Sequence, residues 1–315
     1  MNTPAPSIAA HGVLSPADTA AALPWPILTR EIAALLADAS VTVPPRLVQP
    51  LPGGASLFVM PAHDRRVAIT KLISFTPANA GSGRPTIQGD VVVFDVATGV
   101  RARLLDGPTV TARRTAAVSA LAATLLAPRT DGPLLIVGAG VQGRSHLEAF
   151  AECLGVKEVV IASRSSTSAE ALAAHARTLG LRARVAPDAN AALADCPLVV
   201  TCTPASGVVL TALPGAGHFI AAVGAFTPTM VELAPALCRH VAAQGRVVVD
   251  TADALHEAGD LIQAGLDVAA FATLAEVLAE QKTGDAVRPA GPVLFKSCGW
   301  AGWDLAAARV ALPAA

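Results

Sequence analysis

The residue pattern with the most chemistry in it is Gly138-Ala139-Gly140-Val141-Gln142-Gly143, which follows the apolar run LLIVG and opens a helical stretch. That context is what a G-x-G-x-x-G dinucleotide turn requires. Gly138 would make the tight turn, Gly140 would let backbone approach a pyrophosphate, and Gly143 would let helix and strand pack closely. The phosphates would then sit at the helix N-terminus, beside Val141 and Gln142. At the end of the next strand, where an acid usually reads the ribose 2′-hydroxyl of NAD, the chain has Ser163-Arg164-Ser165-Ser166-Thr167. A guanidinium flanked by hydroxyls suits a 2′-phosphate, so NADP(H) is expected in preference to NAD(H), which stays as the alternative. A glycine turn without a ligand and a merely solvated Arg164 are the plain competing readings.

Other chemistries find little support. The seven histidines are scattered, with no H-E-x-x-H and no Cys/His cluster at ligand spacing, so no metal centre is expected. Cys153, Cys196, Cys202, Cys238 and Cys298 are odd in number and form no C-x-x-C pair, which points to a reducing, cytoplasmic setting. The N-terminal stretch lacks a basic segment before an apolar one, so no secretory signal is read there. A formal charge of -1, from 23 basic and 24 acidic residues, argues against a nucleic-acid partner. The mean hydropathy of +0.53 reflects alanine, and no apolar run approaches the roughly 18 residues of a membrane span, so a soluble protein is expected.

These motifs need elements to carry them. After Pro128, LLIVG (134–138), a helix from Gln142 to Leu154, EVVIAS (158–163) and a helix from Thr167 to Leu179 follow in order. RARVA, a short helix, PLVVTCT, HFIAAVG and RVVVD continue the alternation, which predicts a doubly wound parallel sheet of Rossmann type. Upstream, SLFVM, RVAITKLISF, GDVVVFDV, a Thr98-Gly99 turn and a run to Leu105 predict an antiparallel, strand-rich unit. The polar loop between Phe75 and Gln88 is long enough to cover a site. A helix is expected over Pro108–Leu126, with Thr109 or Thr111 as its cap, and another over Pro26–Ala37 after a loose arm of some twenty residues. The tail, FKSCGWAGWDLAAARVAL, reads as a loop and a final helix returning to the first unit. The fold class is therefore α/β, a Rossmann-type sheet over 119–297 beside a strand-rich α+β domain formed by 1–118 and completed by 298–315.

The segment LLDGPTVTARRTAAVSALAA, followed at once by LLIVGAGVQG, resembles the ornithine cyclodeaminase/mu-crystallin family. The resemblance runs through Pro44-Pro45-Arg46, Met60-Pro61, Thr70-Lys71-Leu72, Gln88-Gly89, Arg114-Thr115-Ala116-Ala117, Val223-Gly224 and Phe295-Lys296-Ser297. It implies a cationic pocket for an amino- or imino-acid carboxylate, formed by Arg46, Lys71 and Arg114; apart from the resemblance, Lys71 is also the candidate proton donor. It also implies cofactor contacts at Thr86, Arg114, Thr115, Thr203, Val223, Gly224 and Ser297, in addition to the fingerprint and to Ser163 and Arg164. A homodimer through the strand-rich substrate domain, and a site in the cleft between the domains, follow from the same resemblance. The residue types agree, since Arg offers a planar fork to a carboxylate. Lys71 lies among Val67, Ile69, Leu72 and Ile73, where an ammonium is expensive without an anion. Only one of Arg113 and Arg114 can face the core, and the family pattern selects Arg114.

Ornithine cyclodeaminases carry an Asp in a G-D-C-P-like context and a Glu just before the Met-Pro pair. This chain has Gly224-Ala225-Phe226-Thr227-Pro228 and Leu57-Phe58-Val59-Met60-Pro61 at those places, so both carboxylates are missing. Cyclodeamination needs acid/base groups that Phe58 and Phe226 cannot supply. Asp90, Asp95 or Asp304 could stand in, though nothing in their spacing places them there. Reduction of a cyclic ketimine asks only that the carboxylate be held, the imine carbon aligned and water excluded. The expected activity is therefore NADPH-dependent reduction of pyrroline-2-carboxylate to L-proline, or of piperideine-2-carboxylate to L-pipecolate. Ornithine cyclodeaminase, an alanine dehydrogenase and a non-catalytic NADPH-binding protein are the alternatives.

Overall fold

The computed structural model describes residues 12–79, 82–204, 206–284 and 289–312. The chain divides into two compact units, one comprising 1–114 and 300–315 and the other 115–299. The first unit begins with α1 (Pro16–Ala21) and α2 (Trp25–Leu36). Strands β1 (Leu47–Pro50), β2 (Ser56–His63), β3 (Val67–Phe75), β4 (Ile87–Asp95) and β5 (Arg101–Asp106) follow. They form one antiparallel sheet in chain order. Helix α3 (Gly107–Leu126) starts in this unit and ends in the second.

Two expectations change here. The arm is not loose where it is described: Ser15 accepts a hydrogen bond from Asp18 N and, with Pro16 in the first turn, starts α1. The first eleven residues of that arm, and residues 80–81 of the polar loop, lie outside the described residues. The cap of α3 is Asp106, not Thr109 or Thr111, because its carboxylate accepts from Thr109 N at 2.8 Å, leaving Thr109 inside the first turn.

The second unit runs through β6 (Leu134–Val137), α4 (Val141–Leu154), β7 (Glu158–Ala162), α5 (Ser166–Thr178) and β8 (Arg182–Val185). It continues through α6 (Ala189–Leu193), β9 (Leu198–Thr201), β10 (Ser206–Leu210), β11 (Phe219–Ala222) and β12 (Val231–Leu233). Helix α7 (Pro235–Gln244), β13 (Arg246–Val249), α8 (Ala254–Glu257) and α9 (Gly259–Gln263) come next. Strand β14 (Ala272–Thr273), α10 (Leu274–Thr283) and β15 (Val293–Lys296) complete it. Eight strands pair in the order β14-β13-β15-β11-β9-β6-β7-β8, all parallel, while β10 and β12 make a separate parallel pair. Strands β6, β9, β11 and β15 are buried along their whole length, as a parallel sheet covered on both faces requires. Phe295 and Lys296, read from sequence as part of a loop, are thus in a central strand.

Helix α11 (Ala301–Ala311) returns to the first unit and packs on α2 and on β2, β3 and β4. Arg309 anchors it, with Nε on Asp64 Oδ2 at 2.6 Å, Nη1 on Glu31 at 3.1 Å and Nη2 on Asp38 at 2.6 Å. Such multiple carboxylate contacts fix the helix rotation as well as its position.

Candidate active site and cofactor turn

In β3 the alternation of side chains puts Val67, Ile69, Lys71 and Ile73 in one buried row. Lys71 pairs with Met60 on β2 and Val91 on β4, both apolar, and is 3% exposed. The strand pattern therefore carries an ammonium at a position where an aliphatic side chain would fit. Its counter-charge comes from α11: Lys71 Nζ lies 2.8 Å from Asp304 Oδ2, and Asp304 is fully buried. The other oxygen, Asp304 Oδ1, accepts from Arg114 Nε at 3.3 Å, and Arg114 is 6% exposed. Two buried cations thus share one carboxylate. Burial drives the Lys71 ammonium down to about 8; Asp304 opposes that fall, and Arg114 and Arg46 reinforce it. Arg46, half-buried just before β1, is close enough to act on Lys71 through its charge. Arg113 points elsewhere, donating to Leu23 O and stacking over Trp25 at 3.8 Å.

Asp304 is the residue that sequence reasoning left unplaced. The structure places it within α11 among buried Trp303, Leu305, Ala306, Ala307 and Ala308, where a carboxylate needs a cation beside it, but the near-uniform alanine content of this helix hides that face from the sequence pattern. Asp95 instead caps the Thr98-Gly99 turn, accepting from Thr98 N at 2.8 Å. Asp90 is exposed. Phe58 shares the face of β2 that holds Met60, one residue pair along from Lys71, and is half-buried. Phe226 packs against the apolar core of the second unit.

The G-x-G-x-x-G segment forms the turn between β6 and α4. Gly138 has φ +117°, a conformation that favours glycine. A Cβ on Gly143 would lie 2.1 Å from Gly138 O, so only hydrogen fits between helix and turn. A Cβ on Gly140, the N-cap of α4, would meet nothing within 4 Å, and no side chain caps this helix end. Val141 is 70% exposed beside it. The turn therefore leaves open helix N–H groups facing free space, a fit for a pyrophosphate. Gln142 is half-buried, Ser163 is half-buried and Arg164 is exposed in the connection from β7 to α5.

Three further cofactor candidates lie at the carboxyl ends of parallel strands and are held by buried acids that the sequence does not single out, Thr203 and Gly224 by Glu232 and Ser297 by Asp250. Glu232 accepts from Thr203 N at 2.6 Å, Thr203 Oγ1 at 2.9 Å, Thr201 Oγ1 at 3.0 Å and Gly224 N at 2.7 Å. Burial pushes its carboxyl up, while Lys296 and the Thr203 hydrogen bonds work to keep it ionised. Lys296 Nζ lies 3.0 Å from Asp260 Oδ2 and donates to Ala225 O at 2.6 Å, so the loop carrying Val223, Gly224 and Phe226 is tied from below. Ser297 gives its hydroxyl proton to Asp250 Oδ2 at 2.8 Å and is 2% exposed, so it can offer a ligand lone pairs only. Thr115 is buried in α3, and Thr86 is half-buried before β4, where its carbonyl accepts from Thr76 N. Among the described residues, no helix is long and apolar enough to cross a membrane.

Comparison with known proteins bears on this arrangement. The chain is 40% identical to Delta(1)-pyrroline-2-carboxylate reductase 1 of Burkholderia multivorans over 308 residues, covering 95% of this chain and 94% of the relative. It is 36% identical to the ketimine reductase mu-crystallin of Mus musculus, covering 87% and 85% of the two chains. Among solved structures, the Thermococcus litoralis Delta(1)-pyrroline-2-carboxylate reductase in complex with NADH and L-proline superposes with a TM-score of 0.80 at 25% identity, over 95% of this chain and 92% of the other. Residues 29–312 match the ornithine cyclodeaminase/mu-crystallin family, and the chain belongs to it.

Proposed function

We propose that the protein is an NAD(P)H-dependent reductase of cyclic ketimines, converting pyrroline-2-carboxylate to L-proline and accepting piperideine-2-carboxylate as a homologue. The observation that carries this reading is the cluster of Lys71 and Arg114 on one carboxylate: it leaves surplus buried positive charge, in a chain 40% identical to a pyrroline-2-carboxylate reductase. Arg46, Lys71 and Arg114 hold the substrate carboxylate, Arg114 and Arg46 through their forks and Lys71 as a point charge. The half-buried ring of Phe58, on the Lys71 face of the sheet, gives a small apolar ring a wall and offers a second amine no partner. Asp304, engaged by both cations, is not free to act as the base that cyclodeamination of ornithine would need.

The residues that would hold the dinucleotide are Gly138, Gly140, Val141, Gln142 and Gly143 at the pyrophosphate, with Ser163 and Arg164 at the 2′-phosphate. Thr86, Arg114, Thr115, Thr203, Val223, Gly224 and Ser297 would lie toward its nicotinamide half. When bound, the reduced nicotinamide supplies the hydride. The chain's own residues fix the imine by its carboxylate, and Lys71, whose ammonium is held down to about 8, exchanges a proton with the ring nitrogen near neutral pH. The exposed Arg164 and the absence of an acid beside it in the sequence favour NADPH over NADH.

The protein is further proposed to be a homodimer. The outer face of the antiparallel sheet carries Leu47, Leu72 and Phe94 at 58%, 44% and 36% exposure, with Leu47 and Leu72 both in register with Val59, an apolar surface that a second copy would cover. The activity is tested by absorbance at 340 nm with NADPH or NADH and each cyclic imine, and with ornithine plus NAD under ammonia detection. Loss of NADPH on a cyclic imine supports the reading; ammonia from ornithine without imine reduction refutes it.

A further inference from the structure

We propose that Asp304 is the positioning residue of the substrate site, locking the Lys71 ammonium and the Arg114 guanidinium into one arrangement. The proposal rests on the reading above for its kinetic consequences, and on geometry for the rest. Asp304 is 0% exposed and reaches Lys71 at 2.8 Å through one oxygen and Arg114 at 3.3 Å through the other. These three groups come from α11, β3 and α3, so one carboxylate ties together two cations that separate elements supply. Its own helix cannot drift, because Arg309, further along the same helix, is bound to three carboxylates.

The charged groups facing Lys71 are Asp304 from α11, Arg114 from α3 and Arg46 from the segment before β1; its sheet neighbours Met60 and Val91 are apolar. Asp304 is the one group in this set that favours the charged lysine, against burial and two guanidiniums. An Asn there keeps the shape and removes the charge. Lys71 should then lose its proton at lower pH, and with it both the carboxylate contact and the exchangeable proton.

The chain's lysines are Lys71, Lys157, Lys282 and Lys296, few enough for lysine-selective 13C,15N labelling and direct NMR titration, with Lys71→Met to assign the signal. Lys71 is expected to titrate near 8 in the wild type and at least one unit lower in Asp304→Asn. This readout needs no substrate. Kinetically, kcat/KM for pyrroline-2-carboxylate should fall about 100-fold, its alkaline limb should move to lower pH, and the NADPH dissociation constant should stay within about twofold. In the Lys71→Met/Asp304→Asn double variant, which strands no buried carboxylate, Asp304→Asn should add far less than it does alone. An unmoved Lys71 titration, or full additivity of the two substitutions, overturns the proposal. A shifted titration in a protein that reduces no imine leaves this inference standing and sinks the functional reading instead.

Discussion

Alanine at Gly143 and alanine at Gly140 should have opposite effects, and the difference tests the phosphate-binding turn. At Gly143 the new Cβ would lie 2.1 Å from Gly138 O and 3.2 Å from Gly138 C, whereas ordinary contact begins near 3.4 Å. The obstacle is backbone, which cannot rotate away, so α4 and the turn must part by about 1 Å. Overpacking of this kind costs roughly 1–3 kcal/mol, and the upper end applies here because the partner is main chain. For a unit of this size, each kcal/mol lowers the melting temperature by roughly 2–4 °C, so Gly143→Ala should melt roughly 5–10 °C below the wild type. At Gly140 the Cβ meets nothing within 4 Å and φ is -88°, open to any residue. Gly140→Ala should therefore melt with the wild type, yet bind NADPH about tenfold more weakly or worse, because the methyl enters the space in front of the helix N–H groups. The assay is a thermal melt without cofactor followed by a fluorescence titration with NADPH. Unchanged NADPH affinity in Gly140→Ala, or an unchanged melt in Gly143→Ala, would refute the reasoning.

Arg164→Ala should raise KM for NADPH roughly 10- to 100-fold and leave that for NADH nearly unchanged, since hydrogen bonds to charged groups contribute about 1.5–3 kcal/mol; equal losses for both cofactors would remove the 2′-phosphate assignment. His146 is fully buried between Gln142 O and Ser119 Oγ, and burial lowers its pKa from 6.5 to about 4. The unfolded chain therefore binds a proton that the folded one refuses between those values, so stability is full above about 6.5 and falls as pH drops toward about 4. His146→Gln should flatten that decline by up to one proton in urea melts taken from pH 7 to 4.5, and an unaltered slope would exclude His146 as a source. Leu72→Glu, on the outer sheet face, should shift light-scattering mass from dimer toward monomer, and a monomeric wild type would refute the proposed interface.

What could be read from sequence was local. The β6 turn was legible because three glycines, an apolar run before them and a helical run after them all lie within one stretch. The β3 alternation exposed Lys71 as a charge in an apolar row, and so demanded an anion. That anion was out of reach, since Asp304 follows Lys71 by most of the chain, and an alanine-rich helix gives periodicity little contrast to show which face is buried. Glu232 sits in β12, a strand of three residues and too short for any pattern, although its four hydrogen bonds shape the Thr203 and Gly224 loops. Asp106 does not stand out as the α3 cap, because Thr109 and Thr111 are equally good caps in isolation. Phe295 and Lys296 read as loop because the last two residues of β15 run straight into Ser297-Cys298-Gly299.

The central claim is hydride delivery to the carbon of a cyclic imine. NADPH deuterated at the transferring C4 position, incubated with the protein and pyrroline-2-carboxylate, should yield L-proline carrying deuterium at C2, with no ammonia released. Proline without deuterium at C2, or imine left unreduced together with ammonia from ornithine plus NAD, would contradict the account.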